Sequence, residues 1–231
     1  MTPDALFAPR QALAARLLPE ALPAPADGAP GGPTDGAHDL AHLARVWANV
    51  RRIMAVEGGD EEILAAATLL HDCVAVEKNS PDRPRASRLA AERACEVLAG
   101  LGWTADRIGQ AAHAIAAHSF SARIEPETPE ARILQDADRL DALGFVGVAR
   151  CFYTAGRLGG GLCDPLDPLA AARPLDDAAH ALDHFPAKLF GLAEGFRTAE
   201  GARLARARHA RLTAFHAGFL DEIGVEQEGQ A

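Results

Sequence analysis

From Asp39 onward, apolar residues recur three and four positions apart, and runs alternating apolar with polar at period two are almost absent. Only a helix gathers residues so spaced onto one face, so the chain is expected to fold as an all-α domain, a single helical bundle. The stripes predict helices at 39–57, 61–73, 86–100, 104–118, 129–140, 142–156, 177–191 and 199–222. Local signals set several ends. Gly58 and Gly59 stop the first helix, Asp60 caps the second, and Gly100 and Gly102 punctuate before Trp103. Asp39 and Thr104 are expected as N-caps of the helices they precede, and Thr128 with Pro129 behind it starts the fifth. No internal repeat is visible.

Residues 6–18 read as a short amphipathic helix that packs on the body of the protein. The stretch from Pro19 to Ala37 carries Pro and Gly at a density no helix or strand interior tolerates, so it reads as an exposed connection. The expected organisation is therefore residues 1–35 as N-terminal helix and connection, and residues 36–225 as one domain. With 231 residues and 48% hydrophobic composition the chain can bury one substantial core. A second Gly- and Pro-rich stretch, Arg157 to Asp176, also holds Leu, Arg and Asp, which favours a folded covering loop.

Composition excludes several classes of function. Four widely spaced cysteines, Cys73, Cys95, Cys151 and Cys163, form no CxxC pair and follow no secretory leader, so reduced thiols and a cytoplasmic protein are expected. No apolar run approaches the roughly 20 residues that cross a bilayer. A net charge of −9 would repel a polyanion, which disfavours a nucleic-acid polymer and leaves a small phosphorylated metabolite escorted by a metal. A homo-oligomer is compatible with all of this.

The strongest chemical signal is the doublet His71–Asp72, which closes the apolar run LAAATLLHD. An unpaired carboxylate beside Leu69 and Leu70 would cost several kcal/mol if buried, and a metal ion supplies the missing partner. Asp138 repeats the oddity after Ile133 and Leu134, the plainer alternative being an ion pair with Arg139 or Arg45. His42 sits one turn inside its helix, with Val46 and Ile53 on the core side, whereas His38 falls in the preceding turn, at the mouth of a site. Two imidazoles and two carboxylates make a mixed nitrogen and oxygen set suited to Mn, Fe, Co, Ni or Zn. In octahedral geometry two positions stay open for a water and a phosphoryl oxygen.

The order His42, His71–Asp72, Asp138 resembles the HD-domain superfamily of metal-dependent phosphohydrolases, all-helical proteins named for the doublet. The strings HDLAHLARV, LLHD, KNSP, HAIAAHSFSA, QDADRLDALG and RPLDD with ALDHF are similar to one small bacterial branch, over about residues 36–222. The resemblance implies one divalent ion per chain, Mn2+ favoured with Mg2+, Ni2+, Co2+, Fe2+ or Zn2+ as alternatives. It also implies hydrolysis of nucleotides or related phosphate compounds.

Further groups fill out such a site. Lys78, with Arg83, follows the doublet and could pair with phosphate oxygens, or form a solvated basic loop. His113 and His118 lie about 140° apart on an ideal helix, so they do not face one ion together. His118 at the helix end is read as a phosphate contact or proton donor, and His113 as a substrate contact or core residue. Asp141 and Glu77 are candidate acids to steer the attacking water, alongside Asp72 itself. The rival class is a non-catalytic sensor that binds metal and nucleotide, and a di-iron oxygenase is a third reading.

Overall fold

A computed structural model describes residues 2–22, 39–74, 76, 85–119 and 122–225. The expected boundary near residue 35, most of the Pro- and Gly-rich connection, and the candidate residues His38, Glu77, Lys78 and Arg83 lie outside the described residues. The described residues form helices α1 (Gln11–Ala21), α2 (Leu40–Glu57), α3 (Glu61–Leu70), α4 (Ala86–Gly100), α5 (Ala105–His118), α6 (Pro129–Leu140), α7 (Gly144–Arg157), α8 (His184–Ala187) and α9 (Ala199–Glu222). Among them there is no strand, only a lone bridge between Gly161 and His180. The all-α expectation holds. No helix among them is long and apolar enough to cross a membrane.

The chain divides into two compact units, Met1–Asp138 with Arg197–Gly201, and Arg139–Phe196 with Ala202–Ala231. In the first, α3 is the hub, packed by α1, α2, α4 and α5. Its sequence explains why. After Asp60, whose carboxylate accepts the amides of Glu62 and Ile63, every residue from Ile63 to Leu70 is buried, as befits a helix that is apolar on all sides. The N-terminal helix does pack on this unit, burying Leu13, Ala14, Leu17 and Ala21, and Ala8 accepts a bond from Trp47 Nε1 at 3.2 Å. It starts at Gln11 rather than residue 6, because Pro9 has no amide to continue a helix from the 3-10 turn Pro3–Phe7. Thr104 occupies the N-cap of α5 in extended conformation, yet its hydroxyl makes no capping bond.

In the second unit, α7 and α9 enclose an aromatic core in which Phe152 lies 5.9 Å from Phe215 and 5.7 Å from Phe219, and Phe185 stacks on Phe215. The helix expected over 177–191 is instead two 3-10 turns, Ala181–Asp183 and Leu189–Ala193, flanking the single turn of α8. Its backbone is used sideways. Gly161 donates to Ala179, while Ala181 and Leu182 donate to Gly161 and Leu162, and Pro186 has no amide for the helical ladder. The loop 157–176 is folded, as expected: Asp164 accepts the amides of Leu166 and Asp167, and Asp167 those of Ala171 and Ala172.

Arg173 clasps this loop to the chain that follows. Its guanidinium donates twice to the buried Asp183, at 2.5 and 2.9 Å, and Asp183 also accepts the Asp176 amide at 2.8 Å. The Arg173 guanidinium holds the Asp183 carboxyl below the ordinary value of 3.8. A carboxylate with a depressed folded-state pKa stabilises fully above its unfolded value and less as pH falls through the folded one. Asp183→Asn should therefore lower the melting temperature by a constant amount from neutral pH down to about pH 4, the ordinary carboxylate range. The gap should then shrink at lower pH, read by thermal melts across an acid series.

Candidate metal centre

Because α3 is buried along its whole apolar length, the doublet emerges from the middle of the first unit. The helix ends at Leu70, three residues before expected, and Cys73 donates back to Leu70 in a tighter final turn. His71 is 1% exposed, and its Nδ1 lies 2.8 Å from the Thr68 carbonyl. A carbonyl only accepts, so the proton sits on Nδ1 and Nε2 presents its lone pair. Helix α2 brings His42, also 1% exposed, to the same point, its start fixed by the Asp39 carboxylate on the His42 amide at 2.8 Å. The Asp39 cap is thus as expected.

The four side chains singled out in the sequence meet here. His42 Nε2 and His71 Nε2 are 3.2 Å apart, and Asp72 Oδ2 lies 3.7 and 3.5 Å from them. Asp138 Oδ1 lies 3.5 Å from His42 Nε2 and 3.8 Å from His71 Nε2. Neighbouring donors on one ion at bond lengths of about 2.1 Å stand about 3.0 Å apart in octahedral and about 3.4 Å in tetrahedral geometry. The observed separations are of that scale, and the donor set is chemically right for a divalent transition metal. The residues fit the ion that the doublet implies.

His118 joins the group from α5. Its Nε2 is 3.7 Å from Asp72 Oδ1, its ring meets that of His71 edge-on at 4.9 Å, and its Nδ1 donates to the Ile115 carbonyl at 2.6 Å. Burial first, and His71 next, hold its pKa below the usual histidine range. Its Nε2 is therefore also a lone pair aimed at the cluster. His113 lies apart, its Nε2 accepting the Glu127 amide at 3.0 Å, as the five-residue spacing led one to expect. Asp141, buried in the second unit, is engaged through Oδ2 by Arg150 at 2.6 Å. Burial pushes the thiols of Cys73 and Cys151 up to about 11, so neither is a thiolate nucleophile near neutral pH, and all four cysteines are unpaired.

What holds Asp138 in place escaped the sequence reading. Gln135 donates to the Ala117 carbonyl at 2.7 Å, beside His118, and Asn49 of α2 donates to the Ala137 carbonyl at 3.0 Å. The buried Asp136 accepts the amides of Arg197 and Thr198 and the Thr198 hydroxyl, capping the start of α9. A Cβ on Gly201 would collide with Asp136 Oδ2 and with Thr198 Oγ1, so the close approach requires glycine. The only hint in the sequence was a second acid two residues before Asp138, on another face of the same helix.

A family model described as HD domain matches residues 39–143, which span all four converging residues. The Bacillus subtilis protein YpgQ is 32% identical over 196 residues, 83% of this chain and 87% of YpgQ. The crystal structure of YpgQ in complex with ADP aligns with a TM-score of 0.64 at 30% identity, covering 83% of this chain and 93% of that one. An HD-superfamily hydrolase from Bacillus thuringiensis reaches 0.66 at 27% identity, over 97% of this chain and 100% of its own. With the doublet, its partner histidine and the distant aspartate gathered at one point of an all-helical fold, the chain belongs to the HD-domain family.

Proposed function

We propose that this protein is a metal-dependent phosphohydrolase that cleaves a phosphoester or phosphoanhydride bond of a small phosphorylated molecule, a nucleotide foremost. The observation that carries this reading is the convergence of His42 Nε2, His71 Nε2, Asp72 and Asp138 at one point. The choice of a nucleotide is supported by the ADP complex of YpgQ.

His42, His71, Asp72 and Asp138 would hold one divalent ion, with Mn2+ favoured. When bound, such an ion supplies Lewis acidity, lowering the pKa of a water and drawing charge from a phosphoryl group. The chain's own residues do the rest. Thr68 fixes the His71 tautomer so that its basic nitrogen faces the ion, a bond of the kind that orients metal-bound histidines. His118, held through Nδ1 by Ile115, keeps Nε2 beside Asp72 as the atom that exchanges a proton with water or phosphate. The segment from Glu77 to Arg83 begins five positions after Asp72 in sequence, and Lys78 and Arg83 supply the cations for the remaining phosphate charge.

A screen for phosphate and pyrophosphate release across nucleotides and sugar phosphates, with Mn2+, Mg2+, Co2+, Ni2+ and Zn2+ in turn, tests the reading. Release should require an added divalent ion, stop with a chelator, and be absent from Asp72→Ala. Tight nucleotide binding in Mn2+ with no turnover of any substrate would instead indicate the sensor role, and undiminished release by Asp72→Ala would remove the proposed catalyst.

A further inference from the structure

We infer that Asn49 is a positioning residue of the metal centre, setting the spacing between the helix that carries His42 and the helix that carries Asp138. The inference rests on the metal assignment above and concerns a residue that touches neither ion nor substrate. Asn49 lies seven residues after His42 on α2, two helical turns along and so on the same face. It is 2% exposed, an uncommon place for an amide side chain unless the amide is used. Its Nδ2 donates at 3.0 Å to the carbonyl of Ala137, the residue next to Asp138.

That carbonyl lies in the last turn of α6, which ends at Leu140. A carbonyl oxygen has two lone pairs and accepts a side-chain donor beside any helical one, and the Asn49 amide thereby ties the peptide before Asp138 to the His42 helix. In the same turn, Gln135 is tied to Ala117 on α5, and Asp136 to Arg197 and Thr198. Three neighbouring residues of α6 are thus pinned to three other segments, and Asp138 is the fourth. Of these three ties, the Asn49 bond is the one that runs to a helix bearing a proposed ligand. Metal sites tolerate only about 0.2 Å of error in ligand distance, so a helix end free to drift degrades the site without removing a ligand.

Two variants and one control separate positioning from plain destabilisation. Asn49→Ala removes the donor and leaves a small void. Asn49→Asp keeps the shape but turns a donor into an acceptor facing the Ala137 carbonyl, and it places a negative charge near the ion. By Coulomb attraction alone that charge would tighten metal binding. The control is Leu98→Ala on α4, a fully buried side chain outside the site. Mn2+ affinity of the intact, metal-stripped proteins is read by electron paramagnetic resonance of free Mn2+ at mildly alkaline pH, with circular dichroism melts to follow folding.

Both Asn49 variants should bind Mn2+ about 10-fold to 100-fold more weakly than wild type, the usual effect of losing an outer partner of a ligand. Leu98→Ala should melt lower and keep wild-type affinity. If Asn49→Ala fails to fold, the isosteric Asn49→Asp carries the test. Wild-type or tighter binding by Asn49→Asp, or equal weakening by Leu98→Ala, overturns the inference while leaving the metal reading intact. Absence of Mn2+ binding by the wild type defeats the metal reading itself, and this inference with it.

Discussion

Asp138→Ala should lower metal-dependent phosphate release by at least about 10^3-fold, while the metal-free protein melts no lower than wild type. The loss follows from what one carboxylate contributes. Its Oδ1 stands within 3.8 Å of both inward-facing imidazole nitrogens, and without it three of the four proposed donors remain. An ion held loosely neither lowers the pKa of a water nor shields phosphate charge, contributions together worth several kcal/mol. Each 1.36 kcal/mol is about tenfold in rate, so about 4 kcal/mol accounts for the loss. Stability should move the other way, because Asp138 is partly exposed and shares its site with a second carboxylate that repels it when no cation is bound. Functional sites commonly carry such a cost in stability. Steady-state assays with saturating Mn2+, beside thermal melts with and without the ion, check both halves.

Asp136→Ala, two residues away, should do the reverse and act first on the stability of the fold. Asp136 is 1% exposed and receives the Arg197 amide at 2.9 Å, the Thr198 amide at 2.8 Å and the Thr198 hydroxyl at 2.7 Å. Truncation strands these donors at the start of α9, where the carboxylate also complements the helix dipole. Losing a buried network of this kind costs about 3–4 kcal/mol. For a chain of this size that corresponds to a fall of roughly 10 °C in melting temperature. A melt within about 2 °C of wild type, less than 1 kcal/mol, would show that Asp136 does not anchor the segment.

The contrast between these neighbours shows what could be read from the chain. Asp138 was legible because an acid on an apolar stripe demands a partner, and the doublet offered one. Helices α2 to α6 and α9 were legible for a similar reason: their apolar residues repeat at the helical period, and Asp39 and Asp60 mark the starts of two of them. What escaped depends on residues far apart in sequence. Asp136 acts on Arg197 and Thr198, and Asn49 on Ala137, pairings that no local pattern announces. The helix drawn over 177–191 failed because its backbone bonds to Gly161 and Leu162, a lateral use invisible to periodicity. Glu77, Lys78, Arg83 and His38 fall outside the described residues, so their roles rest on sequence alone.

Anomalous diffraction from crystals grown with Mn2+ tests the central claim most directly. A single strong peak should appear within bonding distance of His42 Nε2, His71 Nε2 and the carboxylates of Asp72 and Asp138, and it should vanish in Asp138→Ala. A map with no peak between those four side chains at saturating Mn2+, or with the ion bound elsewhere in the molecule, would contradict it.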